Sequence, residues 1–367
     1  MRVLLIQPNQ GNHIGFRYVA LTEPLGLETI AACLPHHDVR ILDMRLEKGL
    51  IEHLRDFQPQ AVGITVSFST DVYNALEILR AIKEYDSKIY TFVGGHHASL
   101  NPPDFLRGCV DAVVIGEGEE TTPELLDLWE KGGDINKVRG IAYLENGNLK
   151  FTPSRELIRD LNVTPIPSRE LTKKHRSRYF YKASRPISSV ETARGCPFRC
   201  KFCSVWQFYK RKYRARSPER VLREIESIST KNILFTDDNF LQSTSRANRI
   251  YELIKEVGLK KRYAFQARTD TIASHPEIIK KWKTIGLDWV LIGFESIWDE
   301  ELQEFNKDNT MAANEKAVGI LQENKVGIQA AFIVNPLYGR KEFQMLIKYV
   351  KKMKLYAGAQ FTILTPL

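Results

Sequence analysis

Ser188-Ser189-Val190-Glu191-Thr192 followed by Gly195-Cys196-Pro197-Phe198-Arg199-Cys200-Lys201-Phe202-Cys203 reads as a short strand running into a cysteine loop. The loop spacing is C-x3-C-x2-C. Three thiolates so placed can hold three irons of a [4Fe-4S] cubane, leaving the fourth iron open to a substrate or cofactor. Zinc in a closed tetrahedral site would want a fourth ligand, and no His or Cys stands close in sequence to supply it. Cys33 and Cys109 are isolated and read as small buried hydrophobes. Three of the five cysteines fall within eight residues, which chance explains poorly.

Outward from this loop, apolar strand-like runs alternate with amphipathic helical ones. Strands are expected at 188–192, 233–235, 263–267, 289–294, 328–334 and 361–364. Helices are expected at 218–229, 247–257, 277–285, 312–324 and 341–353. Such alternation builds parallel sheet, here a partial (β/α)6 TIM-like barrel over residues 187–367. In a barrel of this kind chemistry gathers at the strand C-termini. Asp237-Asp238-Asn239, Gln266-Ala267-Arg268 and Gly293-Phe294-Glu295-Ser296 stand there. The chain stops directly after the sixth strand, so a truncated C-terminus is expected.

Residues 1–135 show a second alternation. Expected strands are 3–7, 39–42, 61–66, 89–93 and 112–115; expected helices are 25–34, 49–57, 71–85 and 122–129. Near-continuous apolar strands imply burial on both faces, hence a doubly wound, Rossmann-like α/β domain. Ligands of such sheets lie beyond the strand C-termini. Those ends carry a turn at 8–13 ending in His13, Ser67-Phe68-Ser69-Thr70, Gly94-Gly95-His96-His97 and Gly116-Glu117-Gly118-Glu119. Paired glycines let backbone approach a bulky flat ligand. The dinucleotide fingerprint G-x-G-x-x-G is absent after the first strand. Between the domains, Asn146-Gly147 marks a hairpin, and residues 153–186 lose periodicity around four prolines. Residues 136–186 thus read as a hairpin and linker crossing between two domains.

The 367 residues carry 53 Lys/Arg, 44 Asp/Glu and 43% hydrophobic residues, which excludes a disordered chain. The charge is uneven: net −7 over residues 1–140 and net +14 over residues 169–223. No apolar run approaches the ~20 residues of a membrane span, and no signal peptide is visible. A cytoplasmic location is expected, with peripheral membrane contact as an option. Residues 204–216 mix five basic residues with Trp206, Phe208, Tyr209 and Tyr213. Such interleaving suits stacking on single-stranded nucleic acid, a membrane surface, or the polar groups of a cofactor.

The cysteine loop resembles that of the radical S-adenosylmethionine (SAM) enzymes. The resemblance implies a [4Fe-4S] cluster on Cys196, Cys200 and Cys203 and SAM on the open iron. It places Phe202 against the adenine, Asp238 and Asn239 at the methionine amino group, Arg268 at its carboxylate, and Gln266 and Glu295 among the SAM contacts. The first domain, with Leu21-Thr22-Glu23-Pro24-Leu25-Gly26-Leu27 and the glycine turns, resembles the cobalamin-binding domain of one large subclass. Ser67, Gly94, Gly95, His96, Gly116 and Glu117 are then its expected cobalamin contacts. The Asp-x-His-x-x-Gly signature that ligates cobalt from below is absent; His13, His96 and His97 are the candidates for that lower ligand, and reading each as a pocket or surface residue is the preferred alternative. Within the subclass the cysteine neighbourhood resembles the hopanoid C-3 methylase group. The resemblance implies methyl transfer from SAM, through cobalamin, to an unactivated carbon of a small-molecule or lipid substrate. A low-potential donor of flavodoxin or ferredoxin type would supply electrons. Oxidative cyclisation or rearrangement on the same architecture and an iron–sulfur RNA-modifying enzyme are the alternatives, and the nucleic-acid reading is the weaker.

Overall fold

The computed structural model describes residues 1–9 and 19–363. His13 and the last residue of the expected sixth barrel strand, Leu364, lie outside the described residues. Contacts divide the chain into two units, Met1–Arg185 and Pro186–Leu367.

In the first unit, strands β1 (Arg2–Gln7), β2 (Asp38–Asp43), β3 (Ala61–Thr65), β4 (Tyr90–Gly94) and β5 (Ala112–Val114) are parallel. The sheet order is β2-β1-β3-β4-β5, extended by β6 (Ile141–Glu145) and β7 (Asn148–Phe151). Strand pleating sends successive side chains to opposite faces. Leu4 and Ile6 therefore enter one core with Leu54, Phe57, Leu76 and Leu79, while Val3 and Leu5 enter another with Leu27, Leu125 and Leu126. Helices Leu50–Phe57 and Val72–Tyr85 cover the first face; Leu25–Ala32 and Gly118–Lys131 cover the second. Strand order reverses direction between β1 and β3, the point at which such sheets take ligands.

The structure corrects the expected boundary at residue 135. The hairpin is no joint: β6 pairs antiparallel with β5, Val113 opposite Ala142, so the parallel sheet continues into it. Asn146 and Gly147 both take positive φ, 51° and 79°, as a two-residue hairpin turn requires. The proline-rich stretch after it belongs to the first unit as well. Phe180–Tyr181 pairs with Ala20–Leu21, and Ser168 N–H donates to the carbonyl of Glu28 at 2.9 Å. Arg169 lies 2.5 Å from Glu23 and 3.5 Å from Glu28, all three buried. Lack of periodicity says that a segment is neither helix nor strand; it says nothing of where the segment is anchored. Here buried carboxylates in need of a cation anchor it.

In the second unit β8 (Ile187–Val190), β9 (Asn232–Phe235), β10 (Arg262–Ala267), β11 (Leu287–Glu295), β12 (Gly327–Val334) and β13 (Ala359–Ile363) are all parallel and adjacent in chain order. Sequential parallel strands with right-handed crossovers keep their helices on one side, the arrangement of a partial barrel. Helices Pro218–Ser227, Thr244–Glu256, Pro276–Thr284, Met311–Glu323 and Arg340–Lys352 fill the expected places. The core is aromatic: the Trp282 ring meets Phe235, Phe240, Tyr263 and Phe265 edge-on at 5.2–5.9 Å between centroids.

Candidate active site

The cysteine loop follows β8 through a fixed turn. Asp237, buried at the end of β9, accepts hydrogen bonds from Thr192 N–H at 2.6 Å, Ala193 N–H at 3.0 Å and the Thr192 hydroxyl. Its neighbour Asp238 accepts from Gly195 N–H at 2.9 Å. Burial raises both carboxyls to about 6. Gly195 has φ of 84°, and a Cβ there would collide with the Lys212 carbonyl. From Cys196 onward the loop is tied on several sides. Cys203 N–H donates to Cys200 O at 3.1 Å, Trp206 Nε1 to Cys200 O at 3.0 Å, Lys201 N–H to Phe305 O at 2.9 Å, and Asn306 Nδ2 to Arg199 O at 3.0 Å.

The three cysteines carry free thiols. Burial pushes all three thiol pKa values up, that of Cys203 to about 11. At Cys203 the charges of Cys200, Asp238 and Cys196 add to the rise, and at Cys196 those of Asp238 and Cys200 do. Lys307 and Arg268 pull the Cys200 value down against that burial. Among the described residues no three His, Cys, Asp or Glu side chains converge on a single-ion site. A cubane asks for something else, one sulfur at each of three separate irons. Three free thiols on one loop braced from several sides fit it.

Around the loop stand the strand-end residues. Asn239 is buried; its Nδ2 donates to Gln242 at 3.0 Å, while its Oδ1 has no partner. A buried acceptor left unsatisfied costs free energy until a donor arrives. Gln266 is exposed and bridges to the Asp238 carbonyl at 2.9 Å. Arg268 is buried and occupied: it stacks on Phe198, 3.6 Å to the ring centroid. It also donates to Asp270 at 2.7 Å and to the carbonyls of Lys307 and Asp308 at 3.0 and 2.6 Å. Glu295 sits at a register break between β11 and β12 with φ of 64°, a conformation disfavoured for a side-chained residue. That turn aims its carboxylate at Lys307 Nζ, 2.7 Å away, both side chains buried. The Lys307 ammonium also lies 5.7 Å from the centroid of Phe202, whose ring meets Phe305 edge-on.

Lys307, Phe198 and Phe305 escaped the sequence reading. Lys307 lies in a loop between two helices, and a lone loop lysine is ordinarily a surface residue. Gly293 carried the only hint. A Cβ at that position would overlap Glu295 Oε1 and stand 3.0 Å from Lys307 Nζ, so the ion pair needs glycine there.

In the first unit, Ser67, Gly94, Gly95, His96 and Gly116 gather at the C-terminal ends of β3, β4 and β5. Gly95, at φ of 110°, lies against the Val66 carbonyl where a Cβ would not fit. Ser99 Oγ accepts from Gly116 N–H at 2.9 Å and donates to Gly95 O at 2.8 Å, which knits the two glycine turns together. Cβ positions at Gly94 and Gly116 meet nothing closer than 3.7 Å, leaving bare backbone and room for a flat ligand. Ser67 is exposed beside them. Glu117 turns elsewhere: its carboxylate accepts from Ile158 N–H at 2.7 Å, pinning the segment after the hairpin. His97 is buried and bound to Asp104 at 2.8 Å. His96 is half-buried, and burial, with the charge of His97, depresses its pKa.

Comparison with known proteins matches residues 14–126 to the B12 binding domain and residues 190–350 to the Radical SAM superfamily. The chain is 33% identical over its whole length to an uncharacterized methyltransferase of Pyrococcus horikoshii, covering 81% of that protein. It is 31% identical over 88% of its length to the hopanoid C-3 methylase of Methylococcus capsulatus. It is 30% identical over 91% of its length to the anaerobic magnesium-protoporphyrin IX monomethyl ester cyclase of Rubrivivax gelatinosus. It spans only 63% and 62% of the latter two. Among solved structures, the cobalamin-dependent SAM radical enzyme OxsB superposes with a TM-score of 0.77 at 22% identity, over 95% of this chain and 52% of that one. The radical SAM methyltransferase TsrM from Kitasatospora setae does so with 0.77 at 17%, over 99% of this chain and 75% of that one. These two share the fold. Whole-length identity to the Pyrococcus protein, with both domain matches in the expected order, carries the conclusion: the chain belongs to the family of radical SAM proteins with an N-terminal B12-binding domain.

Proposed function

We propose that this chain is a cobalamin-dependent radical SAM methyltransferase that moves a methyl group from SAM to an unactivated carbon, with a hopanoid-type lipid as its substrate class. The observation that carries this reading is the whole-length match to a methyltransferase, joined to the hopanoid C-3 methylase likeness. Cys196, Cys200 and Cys203 would hold the [4Fe-4S] cluster, and Ser67, Gly94, Gly95 and Gly116 would face cobalamin. When bound, the cluster and SAM supply a radical able to take hydrogen from a strong C–H bond, and cobalamin carries the methyl group.

The chain's own residues then have defined tasks. Asn239 Oδ1 offers the methionine ammonium the acceptor it wants, with Asp238 beside it in the chain. Phe202 provides a ring face for adenine. Arg268 meets the methionine carboxylate by exchanging it for Asp270, while its stack on Phe198 keeps the cysteine loop in place. Glu295, steadied by Lys307, contacts SAM from the fourth strand. Gly293→Ala should drive the Glu295 carboxylate off Lys307 and leave two buried charges unpaired, a loss of about 3 kcal/mol. SAM affinity should fall by about tenfold or more, measured by calorimetry on cluster-loaded protein. Unchanged affinity would remove the ion pair from the site.

Methyl-labelled SAM, given to anaerobically reconstituted protein with a lipid extract, tests the reaction. S-adenosylhomocysteine and 5′-deoxyadenosine should appear in near-equal amounts per labelled product. The cyclase likeness supports a second reading, oxidative cyclisation. Turnover with 5′-deoxyadenosine, no S-adenosylhomocysteine and no label in the product would select it. A lipid substrate would require contact with a membrane surface. Among the described residues no helix is long and apolar enough to cross one.

A further inference from the structure

We propose that Lys307 tunes the reduction potential of the cluster on Cys196, Cys200 and Cys203, its buried ammonium making the reduced state easier to reach; this rests on the radical SAM reading above. In that reading Lys307 steadies Glu295. The structure gives its charge a second neighbour, the cysteine loop itself.

The segment that carries Lys307 grips Cys200 from both sides. Asn306 Nδ2 donates to the carbonyl of Arg199 at 3.0 Å, and Lys201 N–H donates to the carbonyl of Phe305 at 2.9 Å. Arg199 and Lys201 are the two residues that flank Cys200 in the chain. The Phe305 ring meets Phe202 edge-on at 5.7 Å, and Lys307 Nζ stands 5.7 Å from the Phe202 centroid. Phe202 in turn directly precedes Cys203. Arg268 fastens the same segment through the carbonyls of Lys307 and Asp308, at 3.0 and 2.6 Å. On either side of Lys307, Asn306 and Asp308 take positive φ, 52° and 51°. Side-chained residues persist in that conformation only where the surroundings fix them. Both are exposed, while Lys307 between them is buried.

The ion pair with Glu295 alone is a weak reason for a buried lysine. Taking two charges out of water costs about as much as their attraction returns, and apolar residues can fill such a place equally well. A cubane supplies the stronger reason. Three thiolates leave the cluster net negative, and reduction adds one electron more. A fixed cation nearby favours the more negative state, and burial strengthens the effect. Among the charges around the Cys200 thiol, Lys307 draws its pKa down most, ahead of Arg268, and Glu295 opposes them less. At this sulfur the ammonium therefore outweighs its own partner, so the pair does not act as a neutral unit.

The test is a potentiometric titration of the anaerobically reconstituted full chain, without SAM. The electron paramagnetic resonance signal of the reduced cluster reports the midpoint, and iron and sulfide content confirms loading. Lys307→Met should lower the reduced-to-oxidised ratio at a fixed potential about tenfold, a midpoint about 59 mV more negative for one electron. Lys307→Arg, which keeps the charge, should restore most of the shift. Glu295→Gln removes the opposing charge and should move the midpoint the other way, which a merely structural role would not do. Lys307→Met/Glu295→Gln leaves no unpaired charge to unsettle the fold, and its midpoint should still lie below that of the unsubstituted chain. Midpoints that coincide across these proteins, or that move the same way in Lys307→Met and Glu295→Gln, overturn the proposal and leave Lys307 to Glu295 alone. An unsubstituted chain that takes up no [4Fe-4S] cluster would overturn the radical SAM reading, and the proposal with it.

Discussion

Cys200→Ala will abolish SAM cleavage and leave the barrel folded. The expected loss is complete, because a three-thiolate cubane has no spare protein ligand and no further cysteine or histidine stands close in sequence to substitute. Folding should survive because the loop is braced through backbone and neighbours. Trp206 Nε1 bonds the carbonyl of residue 200, not its sulfur, and Lys201 N–H bonds Phe305 O. The strand-to-loop turn is held independently by Asp237 and Asp238. Iron and sulfide content after reconstitution, the visible absorbance of the cluster and 5′-deoxyadenosine yield are the readouts, with far-ultraviolet circular dichroism as the folding control. Cys196→Ala and Cys203→Ala should behave alike. A Cys200→Ala protein that still forms 5′-deoxyadenosine would remove this loop from the chemistry.

The parts of this site legible in the sequence share one property: they repeat a spacing or end a strand. The cysteine triplet stands out by its spacing, and Asp238, Arg268 and Glu295 end barrel strands, where barrel chemistry gathers; their place at SAM is what the family resemblance implies. The strands themselves stand within a residue or two of expectation, since continuous burial of Val3–Ile6 type runs leaves little choice of period. What escaped depends on contacts between distant segments. Lys307 becomes a site residue only because Glu295 turns back toward it across a register break. Arg268 stands where the resemblance puts it, but its guanidinium already holds Asp270 and two carbonyls, which no spacing could show. Glu117, read as a cofactor contact, spends its carboxylate on Ile158. In each case the residue type was right for two jobs, and only its neighbours decide between them.

The same lesson sets the second large expected effect, at Arg169. Glu23, in the Leu21–Leu27 stretch whose pattern resembles the cobalamin domain, is pinned with Glu28 beneath Arg169. Arg176 reaches Glu23 at 3.4 Å, and Thr172 donates its hydroxyl to Glu28. Both carboxylates have fully buried side chains. Burial, and then the charge of Glu23, raise the Glu28 carboxyl to about 7, with Arg169 and Arg176 acting against the rise. Arg169→Met removes the central cation while keeping most of the side-chain bulk. It should destabilise the first unit by about 3 kcal/mol at pH 8, where Glu28 is left charged and underpaired. The sign of the pH effect follows from linkage. A carboxyl whose folded value exceeds its unfolded value of about 4.3 binds its proton more tightly when folded, so stability falls as pH rises through that window. Without Arg169 the Glu28 value should climb further, and the deficit of the variant should shrink on going from pH 8 to pH 6 as the carboxyl takes up its proton. His96, depressed in the folded state, pulls the other way in both proteins and cancels in the difference. Adding Glu28→Gln to Arg169→Met should restore part of the loss at pH 8 and flatten its pH dependence. Urea unfolding of the full chain at the two pH values, followed through the first unit, measures all of this. A deficit that stays constant between pH 6 and pH 8 would show that Arg169 fastens the segment by packing alone, with no part played by the charge of Glu28.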